Sequence, residues 1–285
     1  MTEPLQRHVQ CVSPRGLHRI GYTEWGPRDA PVVLCVHGLT RNGRDFDPLA
    51  KALSDRYRVV CPDMIGRGTS DRAADTQLYA MPQYLSDCVT LIARLDVAQV
   101  TWLGTSMGGM IGMLMAALPE APIARLILND IGPEIDERGL RRIGSNIGGD
   151  PHFATFEEGE RALRQTTVEF GPHTDAQFRF LSRHYVIRHE GRWQYHYDPE
   201  IARALAGALT TPLPALWNVY DAIRCPTHVI RGGDSDLLSI DVARQMTQRG
   251  PRASLTEFPG VGHAPTFIAD AQIAVVAALL DGTSR

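Results

Sequence analysis

The stretch Gly104-Thr105-Ser106-Met107-Gly108-Gly109 lies between a strand-like run, Val100 to Leu103, and an apolar stretch, Met110 to Leu118, that reads as a helix. A serine flanked by glycines at a strand-to-helix turn is forced into a strained backbone conformation that lifts its hydroxyl out of the chain. The same turn places the serine at a helix N-terminus, where free N–H groups favour developing negative charge. A glycine-rich helix entry merely capped by Ser106 would use the same residues without chemistry. What distinguishes the two readings is whether the rest of the chain supplies a base, a carboxylate and an oxyanion site.

From Pro31 to Asp130 short apolar runs alternate with amphipathic stretches, as in strand–helix–strand units of a covered parallel sheet. The runs are Val32 to Val36, Arg58 to Cys61, Val100 to Leu103 and Leu126 to Leu128. Between them, Phe46, Leu49, Ala50 and Leu53, and then Leu85, Cys88, Val89, Ile92 and Leu95, recur at helical spacing. Residues 8 to 25 read as a hairpin turning at Pro14-Arg15-Gly16. A further run, Thr227 to Ile230, and a closing helix from Asp270 to Leu280 complete the pattern. The expected fold is α/β: a mostly parallel central sheet of about eight strands flanked by helices.

The rhythm breaks after Asp130, and the interval from Glu134 to Pro214 holds nine of the chain's 20 aromatic residues. The expected organisation is a core of residues 1–133 and 215–285 with an inserted helical cap, 134–214. Most of these rings should form the cap's own core, since aromatics usually pack. Trp193 and Tyr197 are the candidates to face a substrate pocket.

A serine nucleophile needs a base, and the base an orienting carboxylate; in this strand–loop–helix pattern the expected chain order is Ser, acid, His. The acid candidates follow the run Thr227 to Ile230, in Gly232-Gly233-Asp234-Ser235-Asp236-Leu237-Leu238. Asp236 is preferred over Asp234 because two apolar residues after it begin the turn into the next helix. The base candidate is His263, in the glycine-flanked loop Pro259-Gly260-Val261-Gly262-His263. The oxyanion would be met by the backbone N–H of Met107 and by that of Leu39, in the loop His37-Gly38-Leu39-Thr40. His37 reads as a structural hydrogen-bonding residue.

Composition narrows the alternatives. Lys and Arg total 29 against 32 Asp and Glu, a formal net charge of -3 with no basic run, which argues against nucleic acid as partner. Five cysteines without CxxC spacing give no disulfide framework or zinc site and point to a reducing cytoplasm. His189-Glu190 begins like a zinc-protease helix, but position 193 is Trp, so no metal is expected. No GxGxxG or phosphate-loop lysine is present, and no cofactor is expected. Glu3, Gln6, Arg7 and His8 would interrupt the apolar core of an export signal. The nearly apolar stretch Met107 to Leu118 falls short of the ~18 residues that cross hydrocarbon.

On these residues the chain resembles the α/β-hydrolase fold superfamily over nearly its whole length. His37-Gly38 is similar to the family's oxyanion loop and Asp63 through Ser70 (DMIGRGTS) to its DxxGxGxS turn, while Ser106, Asp236 and His263 match its triad positions. The resemblance is to lidded carboxylesterases, enol-lactone hydrolases and carbon–carbon bond hydrolases. The first reading is a serine hydrolase of carboxylic esters with a small or medium acyl group, working through an acyl-enzyme. The second is an enol-lactone or carbon–carbon bond hydrolase, which would want a cation for a substrate carboxylate; Arg41, Arg188 and Arg192 are the candidates. The third is a ligand-binding receptor of the same fold without turnover.

Overall fold

The computed structural model describes residues 3–147, 152–208 and 213–282. The chain opens with β1 (Leu5–Ser13) and β2 (Gly16–Trp25), an antiparallel hairpin paired from Leu5↔Glu24 to Ser13↔Gly16. There follow β3 (Val32–Val36), α1 (Asp47–Leu53), β4 (Arg58–Pro62), α2 (Met81–Leu95), β5 (Val100–Thr105), α3 (Met107–Ala116) and β6 (Ile123–Asn129). Among the described residues the main sheet has eight strands in the order β1-β2-β4-β3-β5-β6, then β10 (Thr227–Gly232) and β11 (Ser254–Phe258). The pairs from β4 through β3, β5, β6 and β10 to β11 are all parallel, and β2 joins β4 antiparallel.

Strand composition follows from burial on both faces. Every residue of β3 is buried, and successive side chains alternate between two cores: Val32, Leu34 and Val36 join one, Val33 and Cys35 the other. The first core lies under α2 and α3, around Trp102, Leu91 and Ile111. The second lies under α1 and α10 (Asp270–Leu280), around Leu49, Leu53 and Val276. A fully buried side chain of this kind contributes about 1.5–3 kcal/mol, so two such layers hold the sheet without disulfides, and the five cysteines are free. One expectation fails locally: Val89, at helical spacing in α2, is 49% exposed, because Tyr84 and Leu91 carry the buried face in its place.

Between β6 and β10 the chain leaves the sheet. The stretch expected to be a helical cap holds α4 (Glu137–Asn146), α5 (Phe156–Thr166), α6 (Asp175–Arg183) and α7 (Glu200–Ala208). It also holds a separate antiparallel sheet of β7 (His152–Phe153), β9 (Arg192–Tyr195) and β8 (Val186–His189), which the helical expectation omitted. The helices α8 (Trp217–Ala222) and α9 (Ile240–Met246) flank β10. No helix among the described residues is long and apolar enough to cross a membrane.

Candidate active site

Parallel strands deliver their C-terminal ends to one edge of a sheet, and loops leaving that edge converge. Ser106 follows β5, Asp130 follows β6, Leu39 follows β3 and His263 lies beyond β11. Ser106 sits at φ +52° and ψ -114°, the strained turn expected of it. The elbow needs glycine for close approach: a Cβ at Gly108 would lie 2.1 Å from the Val36 carbonyl oxygen. The Trp102 indole, fully buried beneath the turn, donates to the Gly108 carbonyl at 3.0 Å.

Ser106 Oγ lies 2.9 Å from His263 Nε2. On the other side of the ring, His263 Nδ1 lies 2.7 Å from Oδ2 of Asp130, whose side chain is fully buried. The Asp130 carboxylate also accepts the Gly232 N–H at 2.8 Å and the Ser235 hydroxyl at 2.5 Å. With those donors in place, Nδ1 of His263 is the donating nitrogen and Nε2 keeps its lone pair for Ser106. Asn129, the last residue of β6, ties the loops together by donating to Thr105 Oγ1 at 2.9 Å and to the Pro265 carbonyl at 2.8 Å.

The carboxylate expected at Asp236 is therefore elsewhere. Asp236 faces Arg142 of α4, whose Nε and Nη2 each reach it at 2.7 Å, and this pairing holds its carboxyl below the usual range. Asp234 is exposed, with its N–H on the Val261 carbonyl. The loop after β10 contributes not an acid but Ser235, which braces Asp130. Chain order alone did not specify which strand end brings a carboxylate to His263; the signal was Asp130 itself, separated from the apolar run Leu126 to Leu128 only by Asn129, which ends β6.

Leu39 and Met107 both border the space above Ser106. The Met107 N–H opens α3 and has no acceptor within the helix, and the Leu39 N–H has no protein acceptor among the described residues. The fully buried Arg67, which the sequence reading passed over, donates from Nε to the Leu39 carbonyl at 2.8 Å and from Nη1 to the Ile65 carbonyl and Tyr84 hydroxyl. His37 lies below, its Nδ1 donating to the Gly38 carbonyl at 2.6 Å and its Nε2 accepting from the Met64 N–H. Burial pushes its pKa down to about 3, so the ring is neutral and serves as a brace. In the turn 63–70, Asp63 accepts the N–H groups of Gly43 and Thr69, at 2.7 and 2.8 Å.

Two cavities meet at Ser106. The larger, of about 640 Å³, is walled by Leu39, Met107 and Met110 from the sheet side and by Leu140, Ile143 and Ile201 of α4 and α7. The smaller, of about 110 Å³, runs past His263 and is bordered by Arg41, Arg142, Thr167, Phe170 and Tyr185. Trp193 and Tyr197 border neither. Trp193 packs edge-on to Phe156 at 5.7 Å, and Tyr197 stacks on Tyr195 at 6.1 Å and borders a separate cavity with Gly66 and Arg72. They fill the core of the small sheet; of the rings between 134 and 214, Phe170 and Tyr185 border the smaller cavity, while Tyr79 and Tyr84 from outside that segment border the larger. Arg188 and Arg192 are exposed on β8 and β9; of the three arginine candidates only Arg41 borders a cavity at Ser106.

The model of the alpha/beta hydrolase family matches residues 33–279. A 3-hydroxybutyrate-oligomer hydrolase of Cupriavidus necator is 47% identical over 96% of this chain and 97% of its own. Among solved structures, an alpha/beta hydrolase from Novosphingobium aromaticivorans is 37% identical, with a TM-score of 0.89 over 99% of both chains. A Rickettsia typhi protein, 29% identical, superposes with a TM-score of 0.90 over 99% of this chain and 100% of its own.

Proposed function

Because the chain belongs to the alpha/beta hydrolase family, we propose that it is a serine hydrolase of carboxylic esters whose substrates are linear oligoesters of short hydroxy acids. The observation that carries this reading is the relay from Ser106 Oγ through His263 to Asp130, at 2.9 and 2.7 Å, beneath a large apolar cavity. The likeness to a 3-hydroxybutyrate-oligomer hydrolase along almost the whole chain supports the substrate class.

Ser106 Oγ attacks the ester carbonyl carbon while His263 Nε2 takes its proton, and Asp130 holds the imidazole and stabilises the imidazolium. The carbonyl oxygen, now negative, is met by the N–H groups of Met107 and Leu39. Collapse breaks the bond to the alcohol oxygen, which leaves with the proton from His263. Water, deprotonated by His263, attacks the acyl-enzyme and releases the acid and free Ser106. The segment 134–214 acts as a cap, with α4 and α7 roofing the acyl chain and excluding water from it. A cavity of about 640 Å³ is within the range of pockets that enclose small ligands.

The test has two readouts. A fluorophosphonate should label the wild type at Ser106 and leave Ser106→Ala unlabelled, and undiminished labelling of the variant overturns the nucleophile. The purified protein should release 3-hydroxybutyrate from its linear dimer and trimer. Turnover of an enol lactone or a dienone acid far above that of the linear esters overturns the substrate class.

A further inference from the structure

The smaller cavity has a chemical direction. His263 borders it and does not border the larger one. Since His263 Nε2 hands its proton to the departing oxygen, the leaving alcohol must lie on the His263 side and the acyl chain in the larger, apolar space. This assignment rests on the proposed ester hydrolysis, and it makes the lining of the smaller cavity the recognition surface for the alcohol.

Among the side chains of that lining one buried donor is left without a partner. Arg41 is buried, with 7% of its surface exposed. Its Nε and Nη2 grip Asp45 at 2.7 and 2.6 Å, and Nη2 also donates to the Leu181 carbonyl at 3.0 Å. Its guanidinium lies over the Tyr185 ring at 4.4 Å and near Phe170 at 5.8 Å, so aromatic rings occupy its faces and only its edge can donate. On that edge Nη1 is buried without a hydrogen-bond partner among the described residues. A buried N–H left unpaired is costly, and such groups in native proteins usually await a ligand or water. Arg142, the other guanidinium bordering the cavity, already has two donors committed to Asp236.

We propose that Arg41 Nη1 recognises a carboxyl oxygen carried by the leaving alcohol, so that the enzyme selects esters whose alcohol is itself a hydroxy acid. A single donor on a guanidinium already paired with Asp45 asks for one acceptor oxygen and does not require a free anion. The oxygen can therefore belong to a terminal carboxylate or to the next ester link of an oligomer. A cavity of about 110 Å³ has the volume of roughly three to four water molecules, enough for a short carboxyl-bearing alcohol.

The experiment holds the acyl group fixed and varies the alcohol: 3-(butanoyloxy)butanoate, its methyl ester and pentan-2-yl butanoate, which has an ethyl group in place of the carboxyl. Wild type should favour the carboxyl-bearing esters over the pentan-2-yl ester by on the order of 10- to 100-fold in kcat/KM. Preference for the free acid alone identifies the terminal carboxylate; preference shared by the methyl ester identifies the internal link. In Arg41→Met the ratio to the pentan-2-yl ester should collapse towards one. If that variant fails to fold, Arg41→Lys, which keeps a cation opposite Asp45 but not the forked edge, reads the same ratio. A wild-type ratio near one, or a ratio unchanged in the folded variant, overturns the proposal. Failure to hydrolyse any of the three esters would instead overturn ester hydrolysis itself.

Discussion

Asp130 Oδ2 accepts at once from His263 Nδ1, at 2.7 Å, and from the hydroxyl of Ser235, at 2.5 Å, a residue on the loop where the acid itself was expected. The carboxylate comes from the end of β6 and its support from the end of β10. Asp130→Asn would present an amide that can itself donate to Nδ1, forcing the ring towards the wrong tautomer. We expect kcat to fall by roughly 10⁴-fold with KM little changed. Asp236→Asn should cost far less, because Asp236 serves Arg142. Steady-state kinetics of the two variants decide the matter, and the reverse ranking would return the role to Asp236.

Arg67 couples the two sides of the proposed oxyanion site. Its Nε holds the Leu39 carbonyl, and its Nη2 lies 3.6 Å from the Met107 sulfur, so it fixes the loop after β3 against the start of α3. Arg67→Met should lower kcat by about 10- to 100-fold with a smaller change in KM, since an oxyanion donor out of place loses transition-state binding. Arg67→Lys should recover part of that loss. Equal losses in kcat for both variants, or a loss confined to KM, would show that Arg67 acts on ground-state binding or on folding alone.

The strained turn at Ser106 was legible because its information is local: strand, glycine-flanked serine and helix are contiguous from Val100 to Met110. The placement of His263 beside Ser106 was legible for the same reason, from a short glycine-rich loop. The acid was not, because any loop leaving the common edge of the sheet can reach the imidazole, and the choice between Asp130 and Asp236 depends on how β6 and β10 sit side by side. Pocket walls were the least legible. Aromatic enrichment between 153 and 197 marked a hydrophobic cluster correctly, but whether a ring faces its own sheet or Ser106 is decided by tertiary packing. Aliphatic residues of α4 and α7, such as Leu140 and Ile201, border the larger cavity at Ser106 that Trp193 and Tyr197 were expected to face.

That placement changes the expected effect of substitutions in the segment 134–214. Filling an apolar cavity gains about 0.8 kcal/mol per buried methylene, so kcat/KM should rise severalfold per carbon along acetate to decanoate esters until the space is full. Ala204→Trp, which places bulk in the wall of the larger cavity, should shift the optimum to shorter chains. Trp193→Ala should leave the optimum where it is and lower the melting temperature, because that ring packs on Phe156. A shifted optimum in Trp193→Ala with none in Ala204→Trp would reverse the assignment of the walls.

Acid should weaken the fold through histidines buried in neutral form. Burial pushes His228 down to about 4, helped by the nearby positive charge of Arg125, and its ring bridges Ser254 Oγ at 2.5 Å and Thr256 Oγ1 at 3.0 Å between β10 and β11. His184 is likewise held at about 4, by burial and then by Arg44 and Arg183. For such a group the unfolded chain binds the proton first. Its contribution is intact above the unfolded value of about 6.5 and declines as pH falls from there towards 4. Between pH 7.5 and 5 the cost for His228 is roughly 2 kcal/mol at one pKa unit per 1.4 kcal/mol. Buried carboxyls with raised pKa, Asp63 among them, work in the opposite direction, so the informative quantity is the difference between variants. Urea unfolding at the two pH values should show wild type losing more stability than His228→Gln. Parallel losses in the two proteins would mean that His228 takes up its proton over the same pH range in the folded and the unfolded chain, and that the acid sensitivity lies elsewhere.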